Sequence, residues 1–438
     1  MTSPTITDLF CGAGGSSLGA TAAGYSVDLA LNHWPTGVEV HRINHPDTKH
    51  EVCDVSVTDP RRYRPTDVAW MSPSCVGHSR ARGARKDTDP STALTDAERE
   101  KRYAHERARA TMWDVPRWTE VHRYRAVVVE NVVEATSWQL WPAWWQAMEL
   151  LGYTGEVLSL NSQFFGATPQ SRDRIYVVWT AAGVNRPDLT FAPAAWCAPC
   201  GRIVGAAQSW RNGRTVGRYA QQYRYTCPEC ATPVRPAYTP ASAAIDLSIP
   251  PGIIGERVRP LAAATRARIA AGVARYASRS GIAHAPDPAC TVASHLWASR
   301  HRPSVPQAVD PDAAGDAPIA VTGSGPAAIV MRNNKGGAEM STPLDEPLRT
   351  LTTAGHQSVV TIPPSLHGVS HPGDVDVDAC GLRMLEPHEA AAGMAMSAHP
   401  DGRPYELLGT KRDRLRSVGN AVTPPVAAAL LERIRSVL

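Results

Sequence analysis

Residues 1–183 predict an α/β fold built on a doubly wound sheet, because short β-rich apolar runs alternate there with helix-like stretches. The runs are TITDLF, SVDLALN, HEVCDVS, DVAWMS and YRAVVVENV, continued by GEVLSLN and RIYVVWT to about residue 180. Alternation of this kind implies parallel strands joined by helical crossovers. A second observation is the glycine-rich turn that directly follows the first run. A third is the change in composition past the last run, to Ala, Pro, Arg and Gly. Stretches such as AHAPDPAC and PDAAGDAP cannot form regular helix or an inner strand. A smaller, irregular unit is therefore expected over 184–380. Helical patterning returns in MLEPHEAAAGMAM and VTPPVAAALLERIRSVL, where prolines suit a helix start, so 381–438 forms a third segment.

The 438 residues have room for two or three structural units. A net charge of +4 permits a polyanionic partner without requiring one. No apolar run is long enough to cross a bilayer, and MTSPTITDLF enters a strand without a basic-then-apolar leader, so no membrane partner and a cytoplasmic location are expected. Nine cysteines, four of them in two Cys-x-x-Cys pairs, favour reduced thiols and a metal over a disulfide framework.

The turn reads Asp8-Leu9-Phe10-Cys11-Gly12-Ala13-Gly14-Gly15. Glycines there let the backbone approach a ligand and adopt positive φ. A nicotinamide enzyme would want an acidic residue at the end of the second strand, and Asn32-His33-Trp34 supplies none. Trp34 instead offers a face for adenine, and Asp54 an acceptor for its exocyclic amine; a core-packing role for Trp34 fits the pattern equally.

At the end of the fourth strand stands Pro73-Ser74-Cys75, and at the end of the fifth Glu130-Asn131-Val132. Open α/β sheets place ligands at such strand ends, so a thiol and a carboxylate emerge at one edge. Arg172 and Arg174 lead into RIYVVWT, read as an edge strand, with both side chains to one side. A buried cysteine, a capping turn and solvated arginines are the plain alternatives for these pieces.

These segments, in this order, resemble the DNA cytosine-5 methyltransferases of bacterial and phage type. The matching motifs are Phe10-x-Gly12-x-Gly14-Gly15, Pro73-Ser74-Cys75, Glu130-Asn131-Val132 and Gln170-x-Arg172-x-Arg174, followed by Arg383-Met384-Leu385 with Glu389 and Gly393, and by Ser417 to Pro425. The resemblance implies a Rossmann-like S-adenosylmethionine-dependent methyltransferase domain and a target-recognition domain, with the last motif returning to the cofactor turn. It implies a catalytic set of Cys75, Glu130, Arg172 and Arg174, with Cys75 adding to carbon 6 of a flipped cytosine. Glu130 would donate a proton towards N3, and Arg174 would hold O2 with Arg172 in support. The cofactor set would be Asp8, Phe10, Gly12, Gly14, Gly15, His33, Trp34, Asp54, Pro73, Asn420 and Val422. The chain departs from the family at Ser74, Val76 and His78, where Pro, Gln and an aromatic are usual, and at His33, where a glutamate is usual. Arg80, Arg82, Arg85 and Lys86 suit a loop closing on phosphates.

Cys197-x-x-Cys200 and Cys227-x-x-Cys230 match a four-thiolate structural zinc site, so a zinc ribbon is expected over about 194–233. Arg202, Arg211, Arg214, Arg218 and Arg224, with Tyr219, Tyr223 and Tyr225, are suited to a DNA backbone or to a solvated hairpin face. The expected partner is double-stranded DNA, with a cognate restriction endonuclease as a further candidate and the protein a monomer. A tRNA-methylating enzyme or an inactive DNA-binding relative are the alternatives; the long region between Arg174 and Arg383 disfavours the first, and intact Cys75, Glu130 and Arg174 the second.

Overall fold

The computed structural model describes residues 3–74, 95–277, 327–333, 340–352 and 357–438. Cys75, Val76, His78, the basic run over 80–86 and the stretches AHAPDPAC and PDAAGDAP lie outside these described residues.

Strands β1 (Thr5–Leu9), β2 (Ser26–Asn32), β3 (Lys49–Val52), β4 (Val68–Met71), β5 (Ala126–Asn131), β6 (Tyr153–Asn161) and β7 (Asp173–Ala181) form a seven-stranded sheet. Its order is β3-β2-β1-β4-β5-β7-β6, so the chain leaves β1 in both directions and opens a crevice where the order reverses. The first five strands in that order are mutually parallel, while β7 runs antiparallel to β5 and to β6. The sheet is therefore mixed.

RIYVVWT is not the edge strand expected from its sequence: it pairs with β5 on one side and β6 on the other, and β6 takes the edge. Ile175, Tyr176, Val177, Val178 and Trp179 are all buried, and a continuous apolar run is what a strand covered on both faces requires.

Helices α1 (Gly15–Ala22) and α2 (Pro35–Asn44) follow β1 and β2, α3 (Asp96–Ala110) and α4 (Asp114–His122) precede β5, and α5 (Trp141–Leu150) precedes β6. One face of the sheet buries Leu9, Met71, Val127, Val129 and Trp179 with Trp118 and Trp144. The other buries Ile6, Trp70, Val128 and Tyr176 against the last helix.

The middle of the chain holds two smaller units. Strands β8 (Ala194–Cys197) and β9 (Arg202–Gly205) form a hairpin beside β10 (Ala207–Trp210), β11 (Tyr223–Thr226) and β12 (Pro233–Val234). Further on, β13 (Gly252–Ile253), β14 (Ala327–Arg332), β15 (Ser341–Pro343), β16 (Gln357–Ile362) and β17 (Gly381–Met384) make a sheet of order β13-β17-β16-β14-β15. Helix α6 (Ala263–Tyr276) covers it through Ile269, Val273 and Tyr276.

Helices α7 (Pro387–Gly393), α8 (Lys411–Asn420) and α9 (Pro424–Arg435) complete the chain. Both prolines at 424 and 425 stand in the first turn of α9, where no intrahelical donor is lost. Helix α9 lies on α1 so closely that a Cβ on Gly19 would meet the Pro424 carbonyl at 2.5 Å and the Ala427 methyl at 2.6 Å. The C-terminal helix thus packs on the first helix of the chain.

Candidate active site and metal centre

The cofactor turn is shaped by backbone geometry. Gly14 has φ 89°, and a Cβ there would sit 2.6 Å from the Tyr405 hydroxyl, which donates to the Ala13 carbonyl at 2.5 Å. A Cβ on Gly15 would collide with the Val422 carbonyl, so glycine at 15 lets the C-terminal motif seat against the turn. Phe10 holds φ 61°, a left-handed conformation that costs a non-glycine residue about 1–3 kcal/mol and that clusters at ligand sites.

Behind the turn, Asp8 is fully buried, and Oδ2 accepts from the Ser16 and Ser17 hydroxyls at 2.6 Å each. Its Oδ1 has no hydrogen-bond partner among the described residues. Burial pushes its carboxyl up to about 6 against the lowering effect of the two hydroxyls. The Ser17 hydroxyl also bonds His41 Nε2 at 2.9 Å, and His41 Nδ1 meets His50 Nε2 at 2.8 Å. Burial, with His45 and His50 nearby, holds His41 well below the usual imidazole range, so the chain of groups behind the turn carries little positive charge.

The remaining cofactor candidates lie around this crevice. His33 is exposed after β2, and Trp34, half-buried at the start of α2, lies 4.4 Å beneath the Arg416 guanidinium. Asp54 is exposed, its Oδ1 accepting from the Ser56 amide. Asn420 ends α8 in the open, and Val422 is buried against Gly15. A Cβ on Gly12 would have nothing nearer than the Phe10 carbonyl at 4.0 Å, so this face of the turn is open. An open glycine face, an unsatisfied carboxylate oxygen behind it and an aromatic ring at the next strand end fit an adenosyl ligand.

Two hydrogen bonds fix the backbone that leads into Cys75. Asn131 Nδ2 donates to the Pro73 carbonyl at 3.2 Å while its Oδ1 accepts from the Val132 amide, and the Ser74 amide donates to Thr111 Oγ1 at 3.0 Å. Cys75 itself lies outside the described residues. Glu130, next to Asn131, meets Arg174 Nε at 2.9 Å, with both side chains largely buried.

The structure separates the two arginines read together in the sequence. Arg174 goes to Glu130, whereas Arg172 is buried and donates to the carbonyls of Leu351, Gly419 and Ala421 at 3.1–3.3 Å. Arg172 thereby holds the late motif in place.

Residues missed in the sequence include Thr111, Ser16, Ser17, His41 and Tyr405, each far along the chain from the motif it supports or masked by common residue types. Glu389, already read with Arg383 in the late motif, is placed by local pattern. It caps α7 in a box with Glu386, and its fully buried carboxylate accepts two bonds from Arg383 at 2.7 Å. Burial pushes that carboxyl up, but bonds from Arg383, Glu386 and Asp246 outweigh it and hold it below its ordinary value.

Cys197, Cys200, Cys227 and Cys230 place their sulfurs within 4.8 Å of one another, with Cys197–Cys230 at 3.5 Å and Cys200–Cys227 at 3.8 Å. Four sulfurs about 2.3 Å from one tetrahedral zinc would stand about 3.8 Å apart, so the cluster fits a structural ion. The tyrosines between the knuckles do not form the outward face that their mixture with arginine suggested. Tyr223 and Tyr225 are buried with Ala195 and Ala206, and Phe164 of the sheet domain packs on Tyr219 and Tyr225 at 4.8 and 5.2 Å. The ribbon is too small to fill its own core and uses a ring from the neighbouring domain. Arg218 pairs with Glu134, while Arg202, Arg211, Arg214 and Arg224 are exposed.

Among the described residues, no helix is long and apolar enough to cross a membrane.

Parts of the chain resemble known proteins. Residues 5–192 match the family model for C-5 cytosine-specific DNA methylases. Type II methyltransferase M.AgeI of Thalassovita gelatinovora is 30% identical over 189 residues, which are 40% of this chain and 39% of that protein. The chain thus spans about two fifths of the length of this curated relative. Among solved structures, a triple mutant of Spodoptera frugiperda DNMT2 superposes with a TM-score of 0.51 at 13% identity, covering 99% of this chain and 100% of that one. That likeness shows a shared methyltransferase fold. A DNA modification methyltransferase encoded within a prophage (E. coli) is 16% identical, with 99% of each chain covered and a TM-score of 0.45. Over residues 5–192 the chain is therefore similar to C-5 cytosine-specific DNA methylases.

Proposed function

We propose that the protein transfers a methyl group from S-adenosylmethionine to carbon 5 of cytosine in a specific double-stranded DNA sequence. The observation that carries this reading is the Arg174–Glu130 pair at the strand ends, with the braced Pro73–Ser74 backbone that immediately precedes Cys75 in the sequence. Asp8, Phe10, Gly12, Gly14, Gly15, His33, Trp34, Asp54, Pro73, Asn420 and Val422 hold the cofactor. When bound, it supplies an electrophilic methyl group.

Carbon 5 of cytosine is a weak nucleophile, so the Cys75 thiolate first adds to carbon 6. Glu130 addresses N3 and Arg174 the O2 oxygen, which draws electron density into the ring during addition. Carbon 5, made nucleophilic by the addition, would take the methyl group with S-adenosylhomocysteine as the leaving group, and removal of the carbon 5 proton by a base then lets the Cys75 thiolate leave. A base stacked in a duplex cannot offer its face to a thiolate, so the target is flipped out. Arg172 keeps the C-terminal motif against the cofactor turn, a supporting role. The four thiols hold zinc, which cross-links the ribbon of the target-recognition unit over 184–380.

A tRNA substrate is the second reading, favoured only by the fold shared with DNMT2. Bisulfite sequencing of DNA from a methylase-free host expressing the chain decides between them. Methylated cytosines in one recurrent sequence are expected; unmethylated DNA alongside methylated tRNA would overturn the DNA reading. A cognate endonuclease, a monomeric state and a cytoplasmic location belong to the same proposal.

A further inference from the structure

The ribbon touches the sheet domain at the strand that carries Arg174. The Tyr219 amide donates to Asp173 Oδ1 at 2.9 Å, and Asn161 Nδ2 donates to the same oxygen at 3.0 Å. The Asp173 carbonyl in turn accepts from Arg174 Nη1 at 2.9 Å, opposite the bond from Arg174 Nε to Glu130. Arg218 also grips Glu134, four residues past Glu130 in the 3-10 turn that follows β5. The Gly217 amide donates to Ser159 Oγ at 3.1 Å and Gln208 Nε2 to the Ser159 carbonyl at 2.9 Å, on the strand next to β7. Tyr219 and Tyr225 close the contact on Phe164.

All of these contacts issue from β10 or from the turn at 217–222 and β11, and β11 runs directly into Cys227. The turn is held internally, the Arg218 amide donating to Gln222 Oε1 at 2.8 Å and the Gln222 amide to the Arg218 carbonyl at 3.0 Å. We infer that the metal-held ribbon braces the active site, with Arg218 and the turn at 217–222 positioning Asp173 and Glu134 and thereby the Arg174–Glu130 pair. The inference rests on reading that pair as catalytic. A ribbon that only reads DNA would have no need to bond the residues flanking it. Arg211, Arg214 and Arg224 are exposed and take no part in these contacts, which leaves them to meet a phosphate backbone, whereas Arg202 is paired with Glu229.

The test uses the full zinc-replete chain with Arg218→Met, which keeps the apolar stem, and Arg218→Lys, which keeps the charge. The brace predicts a single-turnover rate at saturating DNA and cofactor lowered about tenfold by methionine, since small misplacements of reacting groups cost that much or more. KM for DNA and Kd for S-adenosylhomocysteine should stay within about twofold, and lysine should recover most of the rate. Hydrogen exchange gives a readout independent of turnover. Amides over 173–175 and 130–134 should exchange faster in Arg218→Met and in zinc-stripped wild type, while those of β1 and β2 stay protected. A raised KM for DNA with an unchanged rate would make Arg218 a DNA contact and overturn the brace, as would unchanged exchange over 173–175. Wild-type protein that methylates no cytosine would sink the functional reading, while the exchange measurement would still judge the brace.

Discussion

Arg174 and Glu130 meet at 2.9 Å across two neighbouring antiparallel strands, with side-chain exposures of only 14% and 12%. They are diagonal neighbours: Glu130 stands opposite Tyr176, two residues beyond Arg174, so the long arginine reaches back along the strand to the carboxylate. Reversal of β7 brings the two chain segments together at the same edge as Pro73 and Ser74. Replacing Glu130 by Gln keeps an acceptor for Arg174 but removes the ionisable proton carrier. The rate should fall roughly 10²-fold or more, with a much smaller change in thermal unfolding. Single-turnover kinetics with both substrates saturating measures it, and a near-normal rate would move the proton-donor role elsewhere.

Cys75→Ala should abolish methyl transfer and leave cofactor binding intact, since the thiol adds to the base and does not hold the cofactor. A duplex with 5-fluorocytosine at the target should form a covalent adduct with the wild type only, because fluorine blocks loss of the carbon 5 substituent. Sustained turnover by the alanine variant would refute the covalent route.

His33 is exposed at the place where the resembled family usually carries a glutamate. His33→Glu should tighten S-adenosylhomocysteine binding by about 1 kcal/mol if a charge-assisted bond to the ribose forms. Calorimetry showing no gain would leave the ribose to Asn32 or to the backbone.

Asp8 supplies a pH test. Its folded carboxyl is raised by burial from 3.8 to about 6, so its contribution to stability is fully present below about pH 4 and is lost as pH rises through about 6. Asp8→Asn cannot ionise. The stability of the variant relative to wild type should therefore climb between about pH 4 and pH 6 and level off above, as read by urea unfolding of the cofactor-free proteins. A pH-independent difference would show that Asp8 does not titrate in that window.

Purified protein should contain about one zinc per chain and retain it through dialysis, since structural sites of this kind are worth roughly 10 kcal/mol or more. Cys227→Ser should loosen the ribbon and weaken sequence-specific DNA binding while cofactor binding persists. Metal analysis of protein prepared without chelators would dismiss the site if it found none.

The alternation of strand-like and helix-like segments was legible in the sequence, and with it the position of Pro73–Ser74 and Glu130–Asn131 at strand ends. Both depend on period and turn residues within a few positions of the chain. The two Cys-x-x-Cys knuckles were legible for the same reason, and the structure brings all four sulfurs together. Partnership across the fold was not. That β7 is internal and reversed, that Arg172 serves carbonyls near 351 and 420 while Arg174 serves Glu130, and that Tyr223 and Tyr225 turn inward towards Phe164 were decided by tertiary packing. An arginine or tyrosine has the same local signature whether it faces water, a carbonyl or a carboxylate. Its partner is selected only when distant segments close on one another, and the burial then available determines which of its alternatives survives.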